Sequence, residues 1–246
     1  MQVIVLAAGP DDAFRGKWGW PRNLLEIGGS NILEMSLGYV ARSHTVDQIL
    51  LVLQREECEE FLTDRVARLT VPSVEIVLAD GKTNGALCSA LLASDRLCDD
   101  DELLLINVDQ WCSVELDEIV KELRASGADA GVATFDSRHP RWSFVEVDDD
   151  GTVLSCAEKN PVSSRATAGI YWFKTAGNFI SSACNSIDGG NLTDGNFFVA
   201  PCMNYELLAD RRVKEHRLPS GSYLSLHTVE DVLDNRERIL SFLNDL

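Results

Sequence analysis

The sequence lacks a long apolar run. No hydrophobic stretch reaches the roughly 18 residues that a membrane-spanning helix needs. The N-terminus also lacks a basic segment followed by an apolar region and a small-residue cleavage site, which is the pattern of a secretory leader. We therefore expect a cytoplasmic protein without a membrane partner.

Basic residues are scarce. The 246 residues include 22 Lys and Arg against 39 Asp and Glu, which gives a formal charge of −17. Nucleic acids and anionic membranes attract basic surfaces, so this charge argues against both as partners. A phosphate-binding site in this chain must reverse the field locally, through backbone N–H groups, a few Arg or Lys side chains, or a divalent cation.

Paired cysteines and clustered histidines are also missing. The seven cysteines are scattered and none forms a C-x-x-C pair, so we expect reduced, mostly buried thiols and no zinc site. The four histidines are His44, His139, His216 and His227. None stands at a metal-ligand spacing from another, and each is interpreted as a surface or capping residue.

What is present is an alternation of strands and helices. Buried strands are expected at 2–8, 48–53, 74–79, 102–108 and 129–135, separated by helices at 30–43, 55–69, 85–97 and 114–125. The second half predicts a hairpin at 142–161, a strand at 166–173, and helices at 174–186, 200–210 and about 228–244. The order predicts an α/β fold with a doubly wound, mixed and mainly parallel sheet and helices on both faces.

The loop after the first strand, 8–22, carries the first candidate site. The strand ends in LAAG, and Gly9 permits positive φ or a close approach of the backbone to a ligand. Arg15, Lys17 and Arg22 follow and can reach phosphate oxygens, although an ordinary solvated surface loop has the same composition. The loop has neither the G-x-x-x-x-G-K-[ST] nor the G-x-G-x-x-G pattern, so neither a P-loop nor a dinucleotide fold is indicated.

Six blocks in order resemble the sugar-phosphate nucleotidylyltransferases, also called nucleoside-diphosphate-sugar pyrophosphorylases. The blocks are LAAG…PRNLLEIGG, DGKTNGALCSALLA, INVDQW, FVEVDDDGTVLSCAEKNP, ATAGIYWF and FFVAPCMNYELLADRRVKEHRL with LSLHTVEDV. The last resembles family members from capsule and lipopolysaccharide gene clusters. The resemblance implies the nucleotide-diphospho-sugar transferase-like fold in one domain, 1–246, with a nucleotide-binding half at 1–135 and an acceptor-binding half at 136–246.

The resemblance also implies roles for individual residues. The nucleotide would be held by Leu6, Ala7, Ala8, Gly9, Gly85 and Ala86, and the acceptor by Glu158, Lys159 and Gly169. Arg15 would hold the triphosphate, helped by Arg22, and Asp109 would bind the cofactor Mg²⁺. On this basis we expect Arg15→Ala to reduce turnover at least about a hundredfold, by analogy with a lost oxyanion donor.

The chain departs from the family pattern at three places. Arg22 replaces a family Lys, Asp11 and Asp12 replace the second loop glycine, and Ser225 stands where the second metal carboxylate is expected. Asp231, Glu230 or Asp194 would have to supply that carboxylate. Asp109 itself has an alternative role as a helix cap or a solvated strand end.

The sequence thus predicts an enzyme that transfers NMP from a nucleoside triphosphate to a sugar 1-phosphate or another small phosphate or phosphonate, and releases pyrophosphate. Neither the base nor the acceptor can be named. Two alternatives stay open: a family member that binds nucleotides without catalysis, and a glycosyltransferase, although N-V-D-Q lacks the first Asp of the usual D-x-D. Homo-oligomerisation also stays open.

Overall fold

The computed structural model describes residues 1–244, and side chains through residue 241. The strands are β1 (Gln2–Leu6), β2 (Glu26–Ile27), β3 (Ser30–Asn31), β4 (Gln48–Gln54), β5 (Glu75–Ala79), β6 (Leu103–Asn107), β7 (Gln110–Cys112), β8 (Ala130–Asp136), β9 (Ser143–Val147), β10 (Val153–Glu158), β11 (Arg165–Phe173), β12 (Val213–Arg217) and β13 (Tyr223–Ser225). The helices are α1 (Asp12–Trp18), α2 (Ile32–Ala41), α3 (Arg55–Phe61), α4 (Thr63–Thr70), α5 (Ala86–Leu91), α6 (Leu116–Ala125), α7 (Ala176–Asp188), α8 (Val199–Cys202), α9 (Asn204–Leu208) and α10 (Val229–Asn244).

A nine-stranded mixed sheet organises the chain. Its main path is β10-β9-β11-β6-β1-β4-β5, and β8 pairs with both β11 and β12. Strands β6, β1, β4 and β5 are parallel, and β11 runs antiparallel to β6. The predicted fold class is therefore confirmed. Among the described residues, no helix combines the length and the apolar character that a membrane crossing requires.

The strands of the parallel part are apolar except at their ends, because the sheet is buried on both faces. Along β1, Val3 and Val5 pack into one hydrophobic core, whereas Ile4 and Leu6 pack into a second core on the opposite face. Successive side chains of a strand point to opposite faces, so a strand covered on both sides needs an apolar residue at every position.

Three helix predictions need correction. The segment 8–22, expected to be a loop, contains α1, which ends at Gly19 in the left-handed conformation. The helix expected at 30–43 begins as α2 at Ile32, because the Asn31 side chain and Glu34 form a reciprocal capping box at its start. The helix expected at 55–69 breaks at Leu62, whose φ is 57°, so α3 and α4 are separate.

The remaining boundaries differ less. The helix expected at 85–97 ends as α5 at Leu91 and is followed by a short 3₁₀ helix, Ser94–Arg96. The predicted hairpin is formed by β9 and β10 around a turn in which the Asp148 side chain accepts from the N–H groups of Asp150 and Thr152. The helix expected at 200–210 is divided into α8 and α9.

Candidate active site

A cavity of about 380 Å³ lies at the edge of the sheet where β1, β6, β10 and β11 contribute residues. Ligands of doubly wound sheets bind at this carboxyl edge, because crossover connections leave a crevice there. Ten of the residues singled out from the sequence line the cavity: Leu6, Ala8, Gly9, Arg22, Gly85, Ala86, Asp109, Glu158, Lys159 and Gly169. The structure thus brings together residues that lie up to 160 positions apart in the chain.

Two of the sequence-predicted residues do not line the cavity. The side chain of Ala7 is buried, and its carbonyl accepts a hydrogen bond from Asn23 Nδ2 at 2.9 Å. Arg15 lies on α1, where its Nε donates to Asp11 Oδ2 at 2.9 Å and its Nη1 donates to Glu60 Oε2 at 2.7 Å. Arg15 thus pairs with two carboxylates of the chain outside the cavity lining, and its triphosphate contact stays a prediction.

Arg22 is the buried cation of the cavity. It begins a 3₁₀ turn, Arg22–Leu24, and only 4% of its side chain is exposed. Its Nη1 lies 2.8 Å from Asp109 Oδ2, whereas its buried Nε has no hydrogen-bond partner among the described residues. The Arg22 side chain lines the cavity, where a guanidinium forms strong charge-assisted hydrogen bonds with an anionic ligand.

The position of the Arg22 side chain explains why residue 9 is a glycine. A Cβ at Gly9 would lie 3.0 Å from Arg22 Nη2, so a larger residue would push against the guanidinium. Gly9 does not have a positive φ, which removes one of the two reasons for glycine given by the sequence. The other reason, a close approach, holds, but the group that approaches is a side chain of the protein itself.

Asp109 joins two cationic side chains. Its Oδ2 contacts Arg22 Nη1 and also lies 2.6 Å from His227 Nδ1. Burial alone would raise the pKa of the Asp109 carboxyl, but the charge of Arg22 and the His227 hydrogen bond outweigh it and hold that pKa well below its usual range. The hydrogen bond and the charge of Asp109 in turn raise the pKa of His227 above its usual value, which favours the imidazolium.

His227 is a cavity residue that the sequence interpretation missed, since it was expected on the surface or at a cap. It follows β13, whose Ser225 aligns with the family carboxylate, and the Leu226 N–H donates to the Asp109 carbonyl at 2.9 Å. That backbone bond brings the segment after β13 against the end of β6. The block SYLSLHT carried a usable signal, because the missing carboxylate drew attention to this stretch.

The residues around Asp109 do not fit a resident divalent metal. Among the described residues, no three His, Cys, Asp or Glu side chains converge as a metal ligand set. Two of the three candidates for the second carboxylate are paired with cations: Asp231 with Arg141 Nη1 at 2.8 Å, and Asp194 with Lys159 Nζ at 2.7 Å. Ser225 donates its hydroxyl to Asp231 rather than to Asp109.

The end of β10 forms the part of the cavity where the motifs predict the acceptor. Glu158 accepts a hydrogen bond from the Ser143 hydroxyl, and burial raises the pKa of its carboxyl. Lys159 has a positive φ of 53°, and its Nζ lies 5.4 Å from the centroid of the Phe198 ring. An anionic acceptor would have to exchange with Asp194 for the Lys159 ammonium.

Gly85 and Gly169 are required by the chain's own packing. A Cβ at Gly85, whose φ is 102°, would lie 2.3 Å from the carbonyl oxygen of Phe197. A Cβ at Gly169, at φ 66°, would lie 2.5 Å from Asn107 Nδ2 and 2.6 Å from Gln110 Oε1. Both glycines line the cavity, but a direct contact with base or acceptor is not needed to explain them.

A buried carboxylate supports the Arg22 segment from behind. Asn23 Nδ2 bridges the Ala7 carbonyl and both carboxylate oxygens of Glu57, and Thr63 donates to Glu57 as well. The break between α3 and α4 turns Thr63 inward for this bond. Burial raises the pKa of Glu57 from 4.5 to about 7, even though these hydrogen bonds favour the ionised form.

Glu57→Gln is expected to change the pH dependence of stability. The folded state raises the pKa of Glu57. The contribution of this carboxyl to the free energy of unfolding is therefore full below pH 4.5 and is lost as the pH rises through about 7. The variant should therefore exceed the wild type in free energy of unfolding by about 3 kcal/mol near pH 8, and by no more than about 1 kcal/mol near pH 5. Urea unfolding at both pH values measures this, with the exposed Glu56→Gln as control; a pH-independent difference would contradict it.

The sequence model of the Nucleotidyl transferase family matches residues 19–188. This is more than half of the chain, which therefore belongs to that family, as its motifs predict. No curated protein sequence matches the chain.

Solved structures that share the fold of this chain include the following three. The nucleoside-diphosphate-sugar pyrophosphorylase from Vibrio cholerae RC9 superposes with a TM-score of 0.81 at 18% identity, over 96% of this chain and 100% of that one. A putative glucose-1-phosphate thymidylyltransferase from Bacillus anthracis, in complex with a sucrose, gives 0.78 at 18% identity over 98% and 95%. A UDP-glucose pyrophosphorylase complexed with UDP-glucose gives 0.76 at 12% identity over 98% of both chains.

Proposed function

We propose that this protein transfers NMP from a nucleoside triphosphate to a small phosphorylated or phosphonate acceptor and releases pyrophosphate. The observation that carries the proposal is the charge of the cavity. Its lining includes Arg22, Lys82, Arg141, Lys159 and His227 against the two carboxylates of Asp109 and Glu158. A local excess of cations in a chain of charge −17 is what two phosphate-bearing substrates require.

The geometry suggests which substrate lies where. Leu6, Ala8 and Ala86 offer small apolar surface at one end, suited to a nucleoside, and Glu158 and Lys159 lie at the other end, suited to an acceptor. Arg22 lines the same cavity as the apolar residues and as Glu158 and Lys159. This supports the division of the chain into a nucleotide-binding half, 1–135, and an acceptor-binding half, 136–246.

The reaction needs no general base. An acceptor oxygen, already anionic, attacks the α-phosphorus; a new P–O bond forms as the bond to the β-phosphate oxygen breaks, and pyrophosphate leaves with the electron pair. The protein has to bring two anions together in line and offset the charge that builds on the leaving group. Arg22 is suited to that task because it lines the cavity and its buried position makes its charge act at low dielectric.

Magnesium enters this proposal as part of the substrate, the Mg²⁺ chelate of the nucleoside triphosphate. Mg²⁺ keeps several waters and is held largely by substrate phosphates, so it does not require a preformed protein cage. A cytoplasmic location is part of the proposal and is supported by the seven free cysteines, which suit a reducing compartment. Precursors of surface polysaccharides are the acceptors that the motif resemblance favours.

The test is a matrix of the four nucleoside triphosphates against phosphorylated acceptors, with Mg²⁺ present. The acceptors are hexose 1-phosphates, a heptose 1-phosphate, phosphocholine and an aminoalkylphosphonate. We expect pyrophosphate release that needs one triphosphate and one acceptor together. A protein that only binds nucleotides, or a glycosyltransferase that uses a sugar nucleotide, would release none in any combination.

Lys159 and Asp194 give a prediction about the acceptor. Lys159→Ala should raise the KM for the acceptor about 10-fold or more, because a charge-assisted phosphate contact is lost. Asp194→Asn should lower that KM, because the carboxylate no longer competes for the Lys159 ammonium 2.7 Å away. Steady-state kinetics with varied acceptor measure both, and Lys174→Ala, a lysine paired with Asp129 outside the cavity, is the control. Equal acceptor KM values in all three variants would remove Lys159 from the acceptor site.

A further inference from the structure

A cluster of three ionisable side chains, Asp109, Arg22 and His227, lies where the family pattern places a metal site. Asp109 Oδ2 lies 2.8 Å from Arg22 Nη1 and 2.6 Å from His227 Nδ1. The Asp109 side chain is 12% exposed and that of Arg22 only 4%. A cation bound at the same oxygen would have to displace two charge-assisted hydrogen bonds inside a largely buried site.

The second ring nitrogen of His227 is left for a ligand. Nδ1 is engaged by Asp109, and Nε2 has no partner among residues 1–241, whose side chains the structure describes. The His227 side chain lines the cavity and is 59% exposed. Nδ1 and Nε2 point away from each other across the ring, so a carboxylate that holds one nitrogen orients the other.

The backbone holds this arrangement from two sides. The Leu226 N–H donates to the Asp109 carbonyl, and the His227 N–H donates to Ser225 Oγ at 3.2 Å. Ser225 in turn donates to Asp231, which is paired with Arg141. A carboxylate in place of Ser225 would lie beside the Asp231 carboxylate and repel it. The Ser225 hydroxyl instead donates to Asp231 and accepts from the His227 N–H, so it helps to position His227.

We infer that Asp109 is a positioning residue that orients the Arg22 guanidinium and the His227 ring at the cavity, and that His227 is a catalytic residue whose Nε2 contacts a phosphate of the nucleotide. The inference rests on the proposed nucleotidyl transfer and deepens it. The Arg22 and His227 side chains supply, from the chain itself, positive charge at the position where related sites are expected to hold a metal through two carboxylates. His227 thereby acquires a function that the sequence did not assign.

Kinetics of four variants test the inference in the full-length protein, with the triphosphate and acceptor found in the matrix. His227→Gln should lower kcat about 100-fold and change the nucleotide KM little, because the lost contact strengthens as charge builds on the leaving group. His227→Lys should recover part of the loss, since it restores a cation. Asp109→Asn should lower kcat similarly, and the double variant Asp109→Asn with His227→Gln should be no slower than the worse single variant.

His44→Gln is the matched control. His44 lies between α2 and β4, at the amino edge of the sheet and away from the cavity, and should keep the wild-type kcat. Thermal unfolding of all variants separates loss of function from loss of fold. Activity of His227→Gln equal to that of His44→Gln, or a double variant whose losses multiply, would overturn the inference.

Metal binding to the nucleotide-free protein gives a readout that does not depend on activity. Titration with Mn²⁺, followed by electron paramagnetic resonance, should show no site tighter than about 1 mM. A tighter site that Asp109→Asn removes would show that Asp109 is a metal ligand and would overturn the inference. If no triphosphate and acceptor pair releases pyrophosphate, the proposed function fails first, whereas a mutation-sensitive Mn²⁺ site in an active enzyme contradicts only the inference.

Discussion

Arg22→Ala is expected to lower kcat/KM for the nucleoside triphosphate on the order of 1,000-fold, the upper range for losing one preorganised charge contact. The variant removes the buried guanidinium whose Nε is unpaired and leaves the Asp109 carboxylate with His227 alone. Leaving a buried charge without its main partner also destabilises the fold by about 3 kcal/mol. Pyrophosphate release and thermal unfolding, measured on the same preparation, separate the two effects.

Arg15→Ala is the matched control for Arg22, because both residues lie in the segment that follows β1. The Arg15 guanidinium contacts Asp11, Glu60 and the Phe61 ring, and it does not line the cavity. We therefore expect turnover within about 3-fold of the wild type, in place of the hundredfold loss that the motif implies. A large loss in Arg15→Ala together with a mild one in Arg22→Ala would mean that α1 rearranges when nucleotide binds.

Arg22→Lys probes the departure from the family pattern directly. It keeps the charge but replaces a planar fork by a compact ammonium, so one head group no longer spans Asp109 and a phosphate. We expect an activity between those of the wild type and Arg22→Ala. Activity equal to the wild type would show that charge alone is required at this position.

Gly85→Ala is expected to have the largest effect on stability. The new Cβ would lie 2.3 Å from the Phe197 carbonyl oxygen and 2.8 Å from the Phe197 nitrogen, which are backbone atoms and cannot turn away. Two backbone hydrogen bonds, Leu87 N–H to the Phe197 carbonyl and Phe197 N–H to the Asn84 carbonyl, join the same segments. We expect a loss of about 3 kcal/mol or more from overpacking and backbone strain together, measured by urea unfolding.

Gly81→Ala separates the two causes of that loss. Gly81 has φ +83° and nothing within 4 Å of its added Cβ, so it carries the backbone strain without the clash. We expect a loss of about 1 kcal/mol for this variant. Similar losses in Gly81→Ala and Gly85→Ala would show that the conformation, and not the contact with Phe197, makes position 85 a glycine.

The fold could be predicted from the sequence where local pattern and tertiary environment agree. The apolar runs of β1 and β4 indicate a sheet buried on both faces, and both strands do pack into two cores. The break at Leu62 could not be predicted, because it depends on Thr63 bonding to Glu57, a buried carboxylate within an otherwise regular helical pattern. The loop 8–22 resembled an open loop because α1 has only Phe14 fully buried.

The site was predictable in its motifs but not in its ion pairs. Gly9, Asp109 and Lys159 line the cavity as expected, since strand ends can be located from the sequence. The sequence could not show which of Arg15 and Arg22 lines the cavity. Arg15 pairs with a carboxylate of α3 and Arg22 with one that follows β6, and both contacts depend on the fold. The role of His227 likewise depends on a contact across 118 residues.

The ion pairs of the cavity have one further consequence. Three of its cations are held by carboxylates of the chain: Arg22 by Asp109, Lys159 by Asp194 and Arg141 by Asp231. Each of these three cations therefore already has an anionic partner within the chain. When a phosphate reaches Lys159 or Arg141, its anionic oxygens replace those of Asp194 or Asp231, so the cation changes partner with little new desolvation, whereas Asp109 keeps its contacts with Arg22 and His227.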